Sequence, residues 1–195
     1  MSEIKVDKIS PQSGTALAVG DSGDTITIPS GATITNSGTA TGFGGGKVAQ
    51  IVTEVHTTYS TGSTNIPADD TIPTSSEGSE IITKAIIPTS ATNRLLFIFE
   101  GNLQNSSTQN IAFTLFQDSG SAAIAMGWSM CHMGNHQNHL GFTHDMVAGT
   151  TSSTTFKIRM GTSSGSPAYR TNGSSSARRF GGISANRLTI IEYTP

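Results

Sequence analysis

The chain has 195 residues, a formal net charge of -2 and only 12% charged residues, with 22 glycines and one cysteine. That length suits one ordinary domain with an appendage rather than two full domains. The 11 Lys and Arg residues are scattered apart from the Arg178-Arg179 pair, which argues against nucleic acid as a partner, and the lone Cys131 excludes an intrachain disulfide framework and fits folding in a reducing cytoplasm.

Residues 1–20 read as an extended polar tail broken by Pro11 and Gly14. Its apolar side chains, Ile4, Val6, Ile9, Leu17 and Val19, are too few for a core, so the tail is expected to dock on something else. The opening MSEIKVDKIS has no apolar stretch of signal-peptide type, and no run approaches the roughly 20 apolar residues of a membrane span. Neither secretion by a leader nor membrane insertion is expected.

Residues 21–46 repeat short threonine triplets, Thr25-Ile26-Thr27, Thr33-Ile34-Thr35 and Thr39-Ala40-Thr41, separated by turns on Pro29, Gly31 and Gly38. Alternation along such triplets would send Ile26, Ile28 and Ile34 to one side and threonines to the other, as in a narrow β-structure. One copy is too thin to bury them, so a stalk of three copies wound on a common axis is expected, with a flexible linker as the alternative. Low net charge fits a packed assembly better than a lone chain, because self-repulsion is one of the forces that keep proteins apart.

Gly44-Gly45-Gly46 marks a hinge, and strands are expected from Lys47 onward. The runs are VAQIVTEV (48–55), EIITKAII (80–87), RLLFIFEGNL (94–103), NIAFTLFQ (110–117), AAIAMGW (122–128), HLGFTHDMV (139–147), TTFKIRMG (154–161) and RLTIIEY (187–193). Leu95, Phe97, Phe99 and Leu103 share one parity, as a strand packed on one face requires. About eight strands separated by Gly, Pro, Ser and Asn clusters point to an antiparallel jelly-roll-like sandwich rather than to parallel βαβ units. The fold class is therefore all-β: an extended tail (1–20), a short trimeric β-stalk and hinge (21–46) and a jelly-roll head (47–195).

Within the head, IPADDTIPTSSEGSEIITKAIIPTSATNRLLFIFEGNL resembles the opening of a jelly-roll domain of tail-fibre and head-fibre proteins of tailed phages. The matching landmarks are Asp69-Asp70-Thr71-Ile72-Pro73, Glu77-Gly78 and Pro88-Thr89-Ser90-Ala91-Thr92-Asn93. ARRFGGISANRLTIIEYTP is similar to the end of that domain, and the first 44 residues are similar to the N-terminal part of many marine phage virion proteins. The resemblance implies a homotrimer held in the virion by its N-termini; synthesis in the host cytoplasm is expected, and the tail's own Ile4, Val6, Ile9 and Leu17 are the residues expected to dock on other virion proteins. Ile26, Ile28 and Ile34 would join the copies, and the head would be displayed to the host surface. It transfers no functional residue, and it leaves open a capsid decoration or head-fibre protein, or a carbohydrate-binding module without a receptor role.

Cys131, His132, His136, His139 and His144 fall within fourteen positions, a thiol and imidazole cluster of the kind that binds zinc or iron. Gly134 and Asn135 argue for a loop, however, and no CxxC or HxxxH with a carboxylate completes a set, so His136 and His139 are the candidates only for an ion shared on a threefold axis. Trp128 and the methionines Met126, Met130 and Met133 are expected to pack beside that segment. GTSSG at 161–165 matches a nucleophile elbow in letters but sits in Ser/Gly-rich surroundings without the strand-to-helix context. Asp69-Asp70, Glu77 and Glu80 are of the type used for glycosidase chemistry or a calcium loop, but the chain has no room for the long β-helix of such enzymes, and Asp69 and Asp70 are expected to make an Asx-type turn before Ile72-Pro73. No enzyme and no cofactor is expected. For a host glycan, Tyr169, Arg170 and Arg178 are the candidate contacts, with Phe180 beside them facing the core.

Overall fold

The computed structural model describes residues 9–38, 47–164, 169–174 and 177–195. The chain divides into two compact units, Met1–Phe43 and Gly44–Pro195. Among the described residues of the first unit there is no strand, and the path is set by turns. Asp24 N–H donates to Asp21 O at 3.0 Å, and Ala32 N–H to Pro29 O at 3.1 Å. The second turn needs the positive φ of 86° that Gly31 takes at its third position without steric cost. Ile9, Leu17, Ile26, Ile28 and Ile34 all lie exposed. Ile4, Val6 and the glycine hinge fall outside the described residues.

The second unit is built from β1 (Val48–His56), β2 (Ser60–Gly62), β3 (Ser79–Ile86), β4 (Arg94–Asn105), β5 (Gln109–Gln117), β6 (Ala125–Cys131), β7 (Gln137–Val147), β8 (Thr154–Thr162), β9 (Tyr169–Thr171), β10 (Gly173–Ser174), β11 (Ala177–Arg178) and β12 (Asn186–Tyr193). In the first sheet β4 is central. Its whole length pairs with β7, while the other edge pairs first with β12, which carries β1, and then with β9, which carries β2. The second sheet runs β3-β8-β5-β6. Every pairing between these strands is antiparallel. From β3 onward the long strands alternate between the sheets except at β5 to β6, which is the winding of a jelly roll.

Period-two alternation puts Leu95, Phe97, Phe99 and Leu103 inward, all buried, and Ile111, Phe113 and Leu115 meet them from the second sheet. Two edge-to-face ring pairs cross the core: Phe97 with Phe156 at 4.5 Å and Phe99 with Phe113 at 4.7 Å. Gly101 leaves them room, since a Cβ there would stand 2.8 Å from Phe99 Cζ and 2.9 Å from Phe113 Cζ.

Strand β5 departs from alternation, because Ala112, Thr114 and Phe116 are buried as well. The chain between β2 and β3 accounts for this by returning across the outside of the second sheet. It is held by Ile66 N–H to Thr162 O at 2.8 Å, Ser75 N–H to Ser121 O at 2.8 Å and Ala123 N–H to Pro73 O at 2.9 Å. Strand β6 consequently begins at Ala125, three residues later than the apolar run predicts, because Ala122 and Ala123 are engaged by this strap.

Phe180 contradicts its expected core position. It is 85% exposed, in a short 3-10 turn Phe180–Gly182, with φ of 48°. The ladder of β12 starts only at Asn186, so Phe180 has no sheet face on which to lie.

A buried carboxylate joins four parts of this unit. Glu192 on β12 accepts from Thr89 N–H (2.8 Å), Thr89 Oγ1 (2.7 Å), Ser90 N–H (3.3 Å) and Asn93 Nδ2 (2.6 Å) on one oxygen and from Gln50 Nε2 (2.6 Å) on the other. Asn93 O in turn accepts from Ala148 N–H just after β7. Burial opposes ionisation here, but the donors from Gln50, Asn93 and Thr89 outweigh it and bring the carboxyl down to about 2.

Candidate functional site

The residues singled out for a host glycan do not form one surface. Tyr169 is 1% exposed: its ring lies against Gly62 and its hydroxyl bonds Ser79 Oγ and Thr64 Oγ1, each at 2.7 Å. It is a core residue and has no face to offer a ligand. Arg170 reaches Asn135 Oδ1 at 3.5 Å on the loop between β6 and β7. Arg178 lies on β11 with its side chain packed over Gly182.

His136 is exposed on the same loop, and His139 on β7 pairs its Nδ1 with Asn102 Oδ1 at 3.2 Å. Among the described residues no three His, Cys, Asp or Glu side chains gather in a metal-holding group. Cys131 is buried and donates to Met133 O at 3.1 Å, and His144 packs its ring against Phe97. The acidic residues serve local structure. Asp69 Oδ1 accepts from Thr71 N–H at 2.9 Å, an Asx turn; Glu77 Oε2 accepts from Thr74 N–H at 2.9 Å; Glu80 pairs with Lys157 at 3.1 Å.

Two other surfaces carry the features that mark binding. The first is the outer face of the first sheet. Register aligns Ile51, Ile191 and Leu96 in one row and Thr53, Thr189 and Ile98 in the next. Ile51 is 59% exposed, and Val55 and Val147 are also exposed. Arg187 lies opposite Glu100, and Asp145 is held by Arg94 Nε at 2.6 Å, so charged groups border the apolar rows.

The second is a groove of about 410 Å³ on the outside of the second sheet, between β5 and β6 and the strap. On β6, Gly127, Ser129 and Cys131 occupy alternate positions with Cys131 inward, which turns Met126, Trp128 and Met130 outward. Trp128 is 62% exposed and forms one wall, with Asp69, Thr71, Asn110 and Ser163 contributing polar groups. A neighbouring hollow of about 340 Å³ shares Asp69, Thr71, Pro73 and Met126. The run AAIAMGW signals a strand in the sequence, but which of its side chains stay uncovered depends on a strap that meets it through Thr74 and Ala122, far apart in the chain, and no local pattern encodes that.

No protein-family model matches the chain, and no curated protein matches it. Among solved structures it is similar to Eiger TNF from S. frugiperda, with 8% identity, covering 73% of this chain and 92% of that one, at a TM-score of 0.42. It is also similar to the enzymatically active domain of tailspike protein 4 of Bacteriophage CBA120, with 16% identity over 65% of this chain, at a TM-score of 0.26. The match spans 19% of that tailspike chain. At these values neither likeness bears on function.

Proposed function

We propose that this chain is a non-enzymatic structural fibre or adhesin of a phage particle, homotrimeric, made in the host cytoplasm, with its N-terminus docked on the virion and its head displayed for attachment to the host surface. The observation that carries this is the uncovered apolar face of the first sheet. Ile51, Val55 and Val147 stand in water on a single chain, beside half-buried Leu96, Ile98 and Ile191. The row Ile51, Ile191 and Leu96 with Ile98 beside it, edged by Arg187, Glu100, Arg94 and Asp145, is apolar surface of the kind an interface between subunits uses. The exposed Ile26, Ile28 and Ile34 make the same demand separately. Three is the copy number that the fibre resemblance implies.

Light scattering of the full chain is expected to give three times the 20.2 kDa chain mass. Ile51→Arg places a charge on this apolar face, on the edge strand β1, and is expected to yield a folded species of single-chain mass. A stable wild-type monomer would count decisively against the reading. Docking is tested apart from assembly: particles assembled with a chain lacking residues 1–20 are expected to carry less than a tenth of the wild-type amount of this protein. Incorporation at the wild-type level would remove Ile4, Val6, Ile9 and Leu17 from the docking role.

A further inference from the structure

We infer that the groove beside Trp128 is a saccharide-binding site that takes a neutral hexose or N-acetylhexosamine unit, extended by at least one linked unit into the adjoining hollow. This deepens the adhesin reading and rests on it for the source of the glycan, while the site itself rests on geometry.

The indole of Trp128 is mostly exposed although it stands on a regular strand of the head, and Met126 beside it is also exposed. An aromatic platform left open on a sheet has lost the burial that such a ring ordinarily contributes, so a partner with a flat apolar face fits it. A pyranose presents such a face of C–H groups, ringed by hydroxyls that need acceptors and donors. The groove supplies them at its border: Asp69 is exposed and takes both Thr71 hydrogen bonds on Oδ1, which leaves Oδ2 outside them, and the Asn110 side chain has no hydrogen-bond partner among the described residues. The Thr71 hydroxyl, which gives its proton to Asp69 Oδ1, adds an acceptor, and the Ser163 hydroxyl adds a group that both donates and accepts.

Size and charge narrow the ligand further. A volume of about 410 Å³ is that of a small-molecule site, and the second hollow of about 340 Å³, reached past Met126 and Pro73, continues it for a chain of linked units. Neither hollow is lined by Lys or Arg, while Asp69 and Asp70 border them, so carboxylated or sulfated sugars meet only like charge.

Trp128 is the sole tryptophan of the chain, so its emission reports on this groove alone. The full-length protein is titrated with neutral gluco-, manno-, galacto- and N-acetylglucosamine oligosaccharides and with oligogalacturonate as the anionic control. At least one neutral series is expected to shift the emission to shorter wavelength and to lower acrylamide quenching at least twofold, with no response to the control. By calorimetry, Asn110→Ala and Asp69→Asn are expected to weaken that binding about tenfold, the loss of one good hydrogen bond, and Trp128→Ala to abolish it with the unfolding midpoint unchanged. Saccharide binding that persists in Trp128→Ala overturns the groove and leaves the adhesin reading standing. A wild-type emission unmoved by every neutral series overturns the saccharide assignment, and the mass measurement above then decides the fibre reading by itself.

Discussion

Replacing Phe99 by alanine is expected to lower the stability of the head by about 4 kcal/mol, the range for a fully buried phenylalanine. Phe99 sits at 1% exposure on the central strand β4, pairs edge-to-face with Phe113 across the two sheets at 4.7 Å and meets Phe142 of β7 at 5.4 Å. The site has little means of collapsing into the cavity, because β4 is hydrogen-bonded along both edges and cannot move inward without breaking ladders to β12 and β7. Gly101, the neighbour on the same face, has no side chain to swing into the space. Urea unfolding at fixed protein concentration measures the loss, and fixing the concentration matters because assembly adds its own stabilisation. A loss under about 1 kcal/mol would show that the two sheets do not share one close-packed core.

Lowering the pH from 5 to 2 is expected to remove about 3 kcal/mol of stability through Glu192 alone. Its folded carboxyl lies at about 2 against an ordinary 4.5, and that gap converts to roughly 3 kcal/mol by linkage. The direction follows from the depression. The unfolded chain takes up the proton first, so the stabilisation is complete above the unfolded value and drains away as the pH falls toward the folded one. The partners on Gln50, Thr89, Ser90 and Asn93 are neutral donors, so salt should change the effect little. Glu192→Ala is expected to cost about 3 kcal/mol at pH 7, because it removes several hydrogen bonds to a charged group and strands the buried Asn93 amide. Glu192→Gln keeps the shape and should flatten the acid dependence below pH 5. A wild-type head equally stable at pH 5 and pH 2 would show that the carboxylate is not held as described.

This hub also explains why two distant stretches stood out in the sequence. Thr89, Ser90 and Asn93 belong to the PTSATN landmark, and Glu192 belongs to the closing IIEYTP, a hundred residues later. Each stretch alone reads as an ordinary polar turn or an ordinary strand end. In space the first wraps the carboxylate of the second, and any carboxylate buried there demands donors at those positions.

The eight long strands were legible because their information is local. Apolar alternation and Gly/Pro punctuation lie within a few residues of one another, so 94–103, 110–117, 154–161 and 187–193 agree closely with β4, β5, β8 and β12. The short strands β2, β9, β10 and β11 carry no such pattern, since two or three residues exist as strand only because a neighbour offers a ladder. Aromatic identity likewise does not fix burial. Tyr169 looked available and Phe180 looked buried, and the fold reverses both, because Gly62 opens a place for one ring while the other falls in a turn before its strand begins. The sequence by itself determined an all-β head of about eight strands and a tail with too few apolar side chains to cover one another. Only the tertiary structure decided that Trp128 stands uncovered in a groove and that Ile51, Leu96 and Ile191 share an open face. Exposure depends on which distant segment crosses which sheet, and that is set by long-range pairing rather than by any residue's neighbours in the chain.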